Sequence, residues 1–326
     1  MLDPTPYISR IRNIQQNRKQ NSRAGEIAWN QLFAEATRQQ IQSAMKIRII
    51  GFLIAHYNKA LHASRQNKPF LALQFFNEAE KMSRAELNEI ENKLVTIFAL
   101  PVKAYMQYRH NRYESALTSL NKTLELDAEL EGLGYGFLHY HRVQQLHNIA
   151  RIHTKASSPE KWLEAYRHVL NYLMAGDPPC AEAKWEIEKL FVSPALRSDL
   201  LLQIVHEANL SCDRLQRDDP RHPSSEIFPS PERLICLSET DETLKKWMVA
   251  RHHYKKQNFE TFLNLSFLFL EQEAGDVDIL KQLLLAMVIK TVGAIMTQED
   301  GANLIAALRE YEQRSLPTTR IIPMIV

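Results

Sequence analysis

DVDILKQLLLAMVIKTVGAIM, Asp276 to Met296, decides the fold class before any chemistry is read. Ile279, Leu280, Leu283, Leu284, Met287, Val288 and Val292 recur at steps of three and four, the spacing that lines one face of an α-helix. Residues 86–100 repeat the pattern through Leu87, Ile90, Leu94, Ile97 and Phe98. No stretch of useful length alternates apolar and polar residues as a half-buried strand would. The chain reads as all-α.

Composition agrees. Glycine occurs 9 times in 326 residues, where an average chain carries about 7%. Folds that turn often through positive φ, such as sandwiches, propellers and dinucleotide-binding sheets, need more. Forty basic against 38 acidic side chains leave +2, so the molecule as a whole is not a polyanion binder by charge. Cys180, Cys212 and Cys236 lack CxxC spacing, which points to a reducing, cytoplasmic setting. The apolar run Leu283–Met296 contains Lys290 and is shorter than the roughly 20 residues a membrane span needs.

Short breakers divide the helices into hairpins: Asn67-Lys68-Pro69, His110-Asn111-Arg112, Ser157-Ser158-Pro159, Asp177-Pro178-Pro179, Gln257-Asn258 and Glu299-Asp300-Gly301. Four prolines in residues 219–231 mark a longer loop, with Ile227 and Phe228 available to pin it. The reading is an N-terminal helical block over 1–218, a Pro-rich loop over 219–231, and a C-terminal helical block over 232–326. The last block ends in an apolar tail, with Ile321, Ile322, Met324 and Ile325 able to dock on the body or on a second copy.

An apolar pair spaced by three residues recurs at Ala72/Phe76, Ala116/Leu120, Ala165/Val169, Leu263/Phe267 and Ala307/Tyr311. The first members lie 44, 49, 98 and 44 residues apart, and a degenerate unit around Ala208 and Cys212 fills the double gap. NRYESALTSLNKTLELDAE (Asn111–Glu129), with Tyr113, Ala116, Leu117, Leu120 and Leu124, resembles the second helix of a tetratricopeptide (TPR) repeat. NKPFLALQFFNEAEKM (Asn67–Met82) is similar through Ala72, Phe76 and Ala79, and Trp247–Tyr254 resembles the first-helix signature. The spacing exceeds the family's 34 residues, which implies longer helices.

The resemblance implies a superhelical stack of about six or seven antiparallel hairpins, a TPR-like α-solenoid with a concave groove lined by first helices. By that register the groove presents Lys245, His252, Lys255 and Lys256 from one repeat. From two others it presents Tyr57, Asn58, Arg65, Tyr105, Tyr108 and Arg109. Cationic heads beside rigid aromatic faces suit an acidic, partly apolar peptide. The functional expectation is a non-enzymatic protein-protein interaction module or scaffold holding a peptide or partner helix, with no cofactor.

Chemical motifs are scarce. Gly132, Gly134 and Gly136 lack phosphate-loop spacing, and no GxxxxGK[ST] or GxSxG occurs. No histidine has another at i+3 or i+4, or Glu three residues earlier, so no helical metal site is expected, and the histidines read as surface or half-buried. Asp218-Asp219 reads as a solvated loop start. Two alternatives differ in class. One is a regulator or adaptor touching nucleic acid through the basic region Arg10, Arg12, Arg18, Lys19, Arg23, Arg38, Lys46 and Arg48. The other is an enzyme with a composite site between helices.

Overall fold

Three turns of one geometry punctuate the chain. Asn67, Asn111 and Gln257 each take a left-handed φ of 57–59° just after a helix. In each, the next residue's N–H returns to a carbonyl five positions back: Lys68 to Ala63, Arg112 to Gln107, Asn258 to His253. Ala72, Ala116 and Phe262 then donate the first bonds of the following helices, to Lys68, Arg112 and Asn258. Two short-chain amides in these slots fit the chemistry, since Asn tolerates this conformation better than most non-glycine residues. The third turn places Phe262, not Leu263, in register with Ala72 and Ala116.

The structure is a computed structural model, and it describes residues 7, 8, 10, 24–156, 159–179, 185–218, 227–272, 277–296 and 298–315. These contain twelve α-helices and no strand. They are α1 (Ala24–Gln40), α2 (Ala44–Arg65), α3 (Pro69–Glu86), α4 (Glu89–Arg109), α5 (Tyr113–Gly132), α6 (Leu138–Lys155), α7 (Pro159–Ala175), α8 (Pro194–Asp218), α9 (Glu239–Lys255), α10 (Phe259–Gln272), α11 (Asp278–Ile295) and α12 (Gln298–Ser315). Short 3-10 turns occupy Ile187–Phe191 and Pro231–Arg233. Residues 219–226 of the Pro-rich stretch, Cys180 and the apolar tail lie outside the described residues. No helix among those described is long and apolar enough to cross a membrane.

Sequence explains most boundaries. Ser43 caps α2 by accepting from Lys46 N–H, and Asn88 with Glu91 forms a reciprocal capping box on α4. Pro69 opens α3, where its missing N–H costs nothing. Two boundaries differ from expectation. α4 runs through Pro101 to Arg109 although an interior proline costs about 3 kcal/mol; Pro101 and its neighbours Ala99, Val102 and Ala104 are buried, and that packing holds the helix together. Glu299-Asp300-Gly301 is no break but the first turn of α12.

Two compact units divide the chain. The first contains Ala24–Tyr172 and Asp177–Arg197. In it each of α1–α6 contributes to one core containing Ile50, Leu53, Leu94, Phe98, Leu130 and Leu138, and α2 also packs on α4. A smaller cluster, Ala104, Ala116, Leu120 and Ile152, joins α4, α5 and α6. The second unit contains Leu173–Gly176 and the helices from Ser198 onward. There α9, α10, α11 and α12 pack successively, α9 also touches α11, and all of the opening stripe except Ile279 is buried. Ile227 is buried and Phe228 meets Trp247 edge-on at 5.9 Å, so the end of the Pro-rich stretch is pinned.

Candidate functional site

Four helices of the first unit bring together an arginine–tyrosine patch. Arg65 ends α2, Tyr105, Tyr108 and Arg109 lie on the last turns of α4, Tyr113 opens α5, and Arg151 lies on α6. The Arg65 guanidinium sits 5.7 Å from the Tyr105 ring centroid. Tyr105 and Tyr108 follow at 6.2 Å, and Tyr108 and Tyr113 at 6.0 Å. Tyr108 and Tyr113 rest on the Ala104–Ala116–Leu120–Ile152 cluster, which fixes their rings while leaving them half-buried. Tyr113 donates to Asn111 at 2.9 Å, and Arg109 donates to Asn67 at 3.4 Å, so two left-handed turn residues brace the patch.

The electrostatics are those of a cationic, partly dry surface. Burial lowers the pKa of Arg65; Tyr105 opposes that shift and Arg151 adds to it. Burial raises the Tyr108 phenol, Tyr113 and Tyr105 raise it further, and Arg151 and Arg109 pull it back.

Of the residues predicted from the first two repeats, Arg65, Tyr105, Tyr108 and Arg109 meet here, and Asn58 is exposed elsewhere on α2. Tyr57 is a correction. Its ring is 2% exposed and packs edge-on against Phe76 at 5.3 Å, so it belongs to the core. Tyr113 entered the sequence reading only as a second-helix residue and Arg151 not at all, because they lie on neighbouring helices, outside the slots of a first helix.

Lys245, His252, Lys255 and Lys256 belong to α9 of the second unit. The Pro231–Arg233 turn packs on α9. It brings an acid of the same unit into their field: Lys245 and His252 both help to lower the Glu232 pKa, behind hydrogen bonds from its own backbone and from Ser230. His252 and Lys256 are exposed, and Lys245 and Lys255 are half-buried.

A second cluster was not legible in the sequence. Helix α6 is buried nearly all round although its residues include His139, His141, Arg142, Gln144, Gln145 and His147. Glu131 of α5 is its hub. The carboxylate accepts from His139 Nδ1 at 3.1 Å, from Arg142 at 2.9 Å and from Lys189. Burial alone would raise the Glu131 pKa, but these three bonds outweigh it and hold the pKa at about 2. An ionised Glu131 only accepts, so His139 Nδ1 carries a proton, and in the neutral ring Nε2 accepts from Tyr172 at 2.5 Å. Arg142 stacks 3.9 Å from the Trp185 centroid. One turn of α5 away, Asp127 accepts from His141 Nδ1 at 2.8 Å; burial raises this carboxyl's pKa, and His141 opposes the shift. Three of the histidines expected at the surface or half-buried are interior instead: His139, His141 and His147 are at most 1% exposed.

Carboxylate, imidazole and hydroxyl in series is an arrangement that activates nucleophiles. Here His139 is 0% and Tyr172 1% exposed, so the series presents no surface to a substrate. What it does is mechanical. Lys189 to Glu131, Tyr140 to the Leu190 and Ser193 carbonyls, and Arg142 to Trp185 all tie residues 185–193 to α5 and α6.

Of the basic N-terminal region, Arg10 is engaged in a bidentate pair with Glu271 at 2.5 and 2.7 Å, and Lys46 pairs with Glu91 at 3.5 Å. Residues 11–23, which carry Arg12, Arg18, Lys19 and Arg23, lie outside the described residues. Among the described residues, no three His, Cys, Asp or Glu side chains are placed to hold a metal ion. A depression of about 810 Å³ on α1, lined by residues such as Ile27, Ala34 and Arg38, includes Arg38 of the basic region and none of the predicted groove residues.

No protein-family model, characterised protein or solved structure matches the chain.

Proposed function

We propose that this protein is a non-enzymatic interaction module, a TPR-like stack of helical hairpins that holds an acidic peptide or partner helix in a concave groove. The observation that carries the reading is the Tyr105–Tyr108–Tyr113 ladder beside Arg65 and Arg109, half-buried yet reachable. Rigid aromatic rings supply contact area at low entropy cost, and guanidiniums fork carboxylates. The repeated left-handed turns, and the packing of α2 on α4 and of α9 on α11, support the hairpin-stack part of the reading. The engagement of Arg10 by Glu271 weighs against the nucleic-acid alternative.

The test is capture of partners by the immobilised full chain, followed by mapping of the bound segment. A double variant, Tyr105→Ala with Arg109→Glu, should keep its helical circular dichroism and melting transition and lose the mapped peptide. Full retention of that peptide overturns the reading. Binding to a phosphodiester backbone would instead fall about 10³- to 10⁵-fold between 50 and 200 mM salt, far more than a groove built on aromatic contact.

A further inference from the structure

We propose that Arg65, over the Tyr105 ring at the end of the tyrosine ladder, is the receiving site for a phosphate monoester carried on the bound peptide; this rests on the interaction-module reading above. Arg65 is the observation to explain. It is half-buried over the Tyr105 ring, and among the described residues it makes no hydrogen bond or ion pair. Two of the buried guanidiniums differ: Arg142 bonds Glu131 and Arg251 bonds Asn209 at 3.4 Å. A half-buried guanidinium with no oxygen partner in the protein has lost part of its hydration without a replacement, and an arriving anion would supply it.

The surroundings choose the kind of anion. Arg151 acts on both Arg65 and the Tyr108 phenol, and Arg109 acts on that phenol as well. Among the described residues, no carboxylate is one of the groups that act on either. The C-terminal carbonyls of α2 and α4 offer only partial negative charge, and Ala63 and Gln107 already accept turn bonds from Lys68 and Arg112. One guanidinium satisfies one carboxylate. Several cations and phenols within one another's field, with Arg109 bonded to the neutral amide of Asn67 and Arg151 to that of Asn148, match a group with about two negative charges and three acceptor oxygens, which is a phosphate monoester.

The experiment has two arms on the full-length protein. In the first, inorganic phosphate at pH 8 is titrated while the Arg65 Nε–H resonance and the melting temperature are followed, with acetate and chloride at matched ionic strength as controls. A saturable shift specific to phosphate is expected. In the variants, which lack that resonance, the phosphate-specific rise in melting temperature should be absent in Arg65→Gln and need about 10- to 100-fold more phosphate in Arg65→Lys, which keeps the charge but not the fork. Identical responses to all three anions, or a phosphate response that survives Arg65→Gln, overturn the proposal. If the Gln variant melts early, the Lys variant alone decides. In the second arm, degenerate peptides with one fixed phosphorylated residue are compared with their unphosphorylated counterparts by fluorescence polarisation. At least tenfold preference for the phosphorylated set, lost in Arg65→Lys, is expected. Equal binding of the two sets removes the phosphate site and leaves the peptide module standing. A phosphate response in the first arm with no peptide bound in the second upholds an anion site and removes both the module and the peptide as the phosphate's carrier.

Discussion

The carboxylate of Glu131 accepts from Nδ1 of His139 at 3.1 Å across the α5–α6 turn, with both side chains sealed from water. Arg142 and Lys189 complete the shell, so one interior acid is matched to two permanent cations. Removing the acid while leaving the guanidinium buried is the costly direction. Glu131→Gln should destabilise the protein by about 3–5 kcal/mol, read as a fall in the urea midpoint with little change in slope. A variant within error of wild type would mean that water reaches Arg142.

Asp127 should behave in the opposite way. Its pKa is raised because burial disfavours the charge more than His141 supports it. Asp127→Asn keeps an acceptor for His141 Nδ1 and removes an interior charge. It should change stability by less than about 1 kcal/mol, or increase it. Two substitutions of the same kind, four residues apart on α5, would then differ several-fold in cost.

The same two acids set the acid limb of stability. Glu131 has a folded pKa of about 2 against an ordinary value of 4.5. A depressed carboxylate contributes stability fully above its unfolded pKa and loses it as pH falls through the folded one. That contribution, on the order of 3 kcal/mol, should disappear between about pH 5 and pH 2. Asp127, with a raised pKa, favours the fold slightly more as it protonates and so opposes the trend. Melting temperatures of wild type and Glu131→Gln should therefore converge toward pH 2. Curves that stay parallel to that pH would refute the assignment.

Ala116→Trp should cost about 1–3 kcal/mol, whereas Thr118→Trp should be nearly silent. Ala116 is 0% exposed where α4, α5 and α6 meet, and Thr118 is exposed with its hydroxyl on Glu114. Equal melting temperatures for the pair would contradict this packing.

That contrast also marks what the sequence could convey. Helices and the Asn67, Asn111 and Gln257 turns were legible because apolar spacing and short polar breakers act locally. The α9 lysines and the α4 tyrosines were picked out by the register that the TPR resemblance implies. Tyr57 was misplaced because a tyrosine in a stripe looks alike whether its ring faces solvent or Phe76. The Glu131 cluster was out of reach for a different reason. Hydropathy places His139, Arg142 and Gln145 outside, and only the tertiary wrap of α5, α7 and residues 185–193 puts them inside. Lys189 lies 58 residues from the acid it serves.

The turns give the last prediction. Gly134 closes α5 at φ +101°, with Gly134 and Tyr135 N–H returning to Glu131 and Leu130. This is the bonding pattern of the Asn67 and Asn111 turns, but here the space differs as well as the dihedral. A Cβ at Gly134 would stand 2.5 Å from Nε2 of Gln40. Gly134→Ala therefore meets both a dihedral cost of roughly 1–2 kcal/mol and displacement of the Gln40 amide. Asn111→Gly, at φ 57°, relieves strain and should be neutral or slightly stabilising, the loss of the Tyr113 hydrogen bond offsetting part of the gain. Combining Gly134→Ala with Gln40→Ala separates the two terms. Recovery of part of the lost stability would assign that part to the clash, and the residue left over to the backbone. If Gly134→Ala alone left the urea midpoint unchanged, the positive φ at this turn would be wrong.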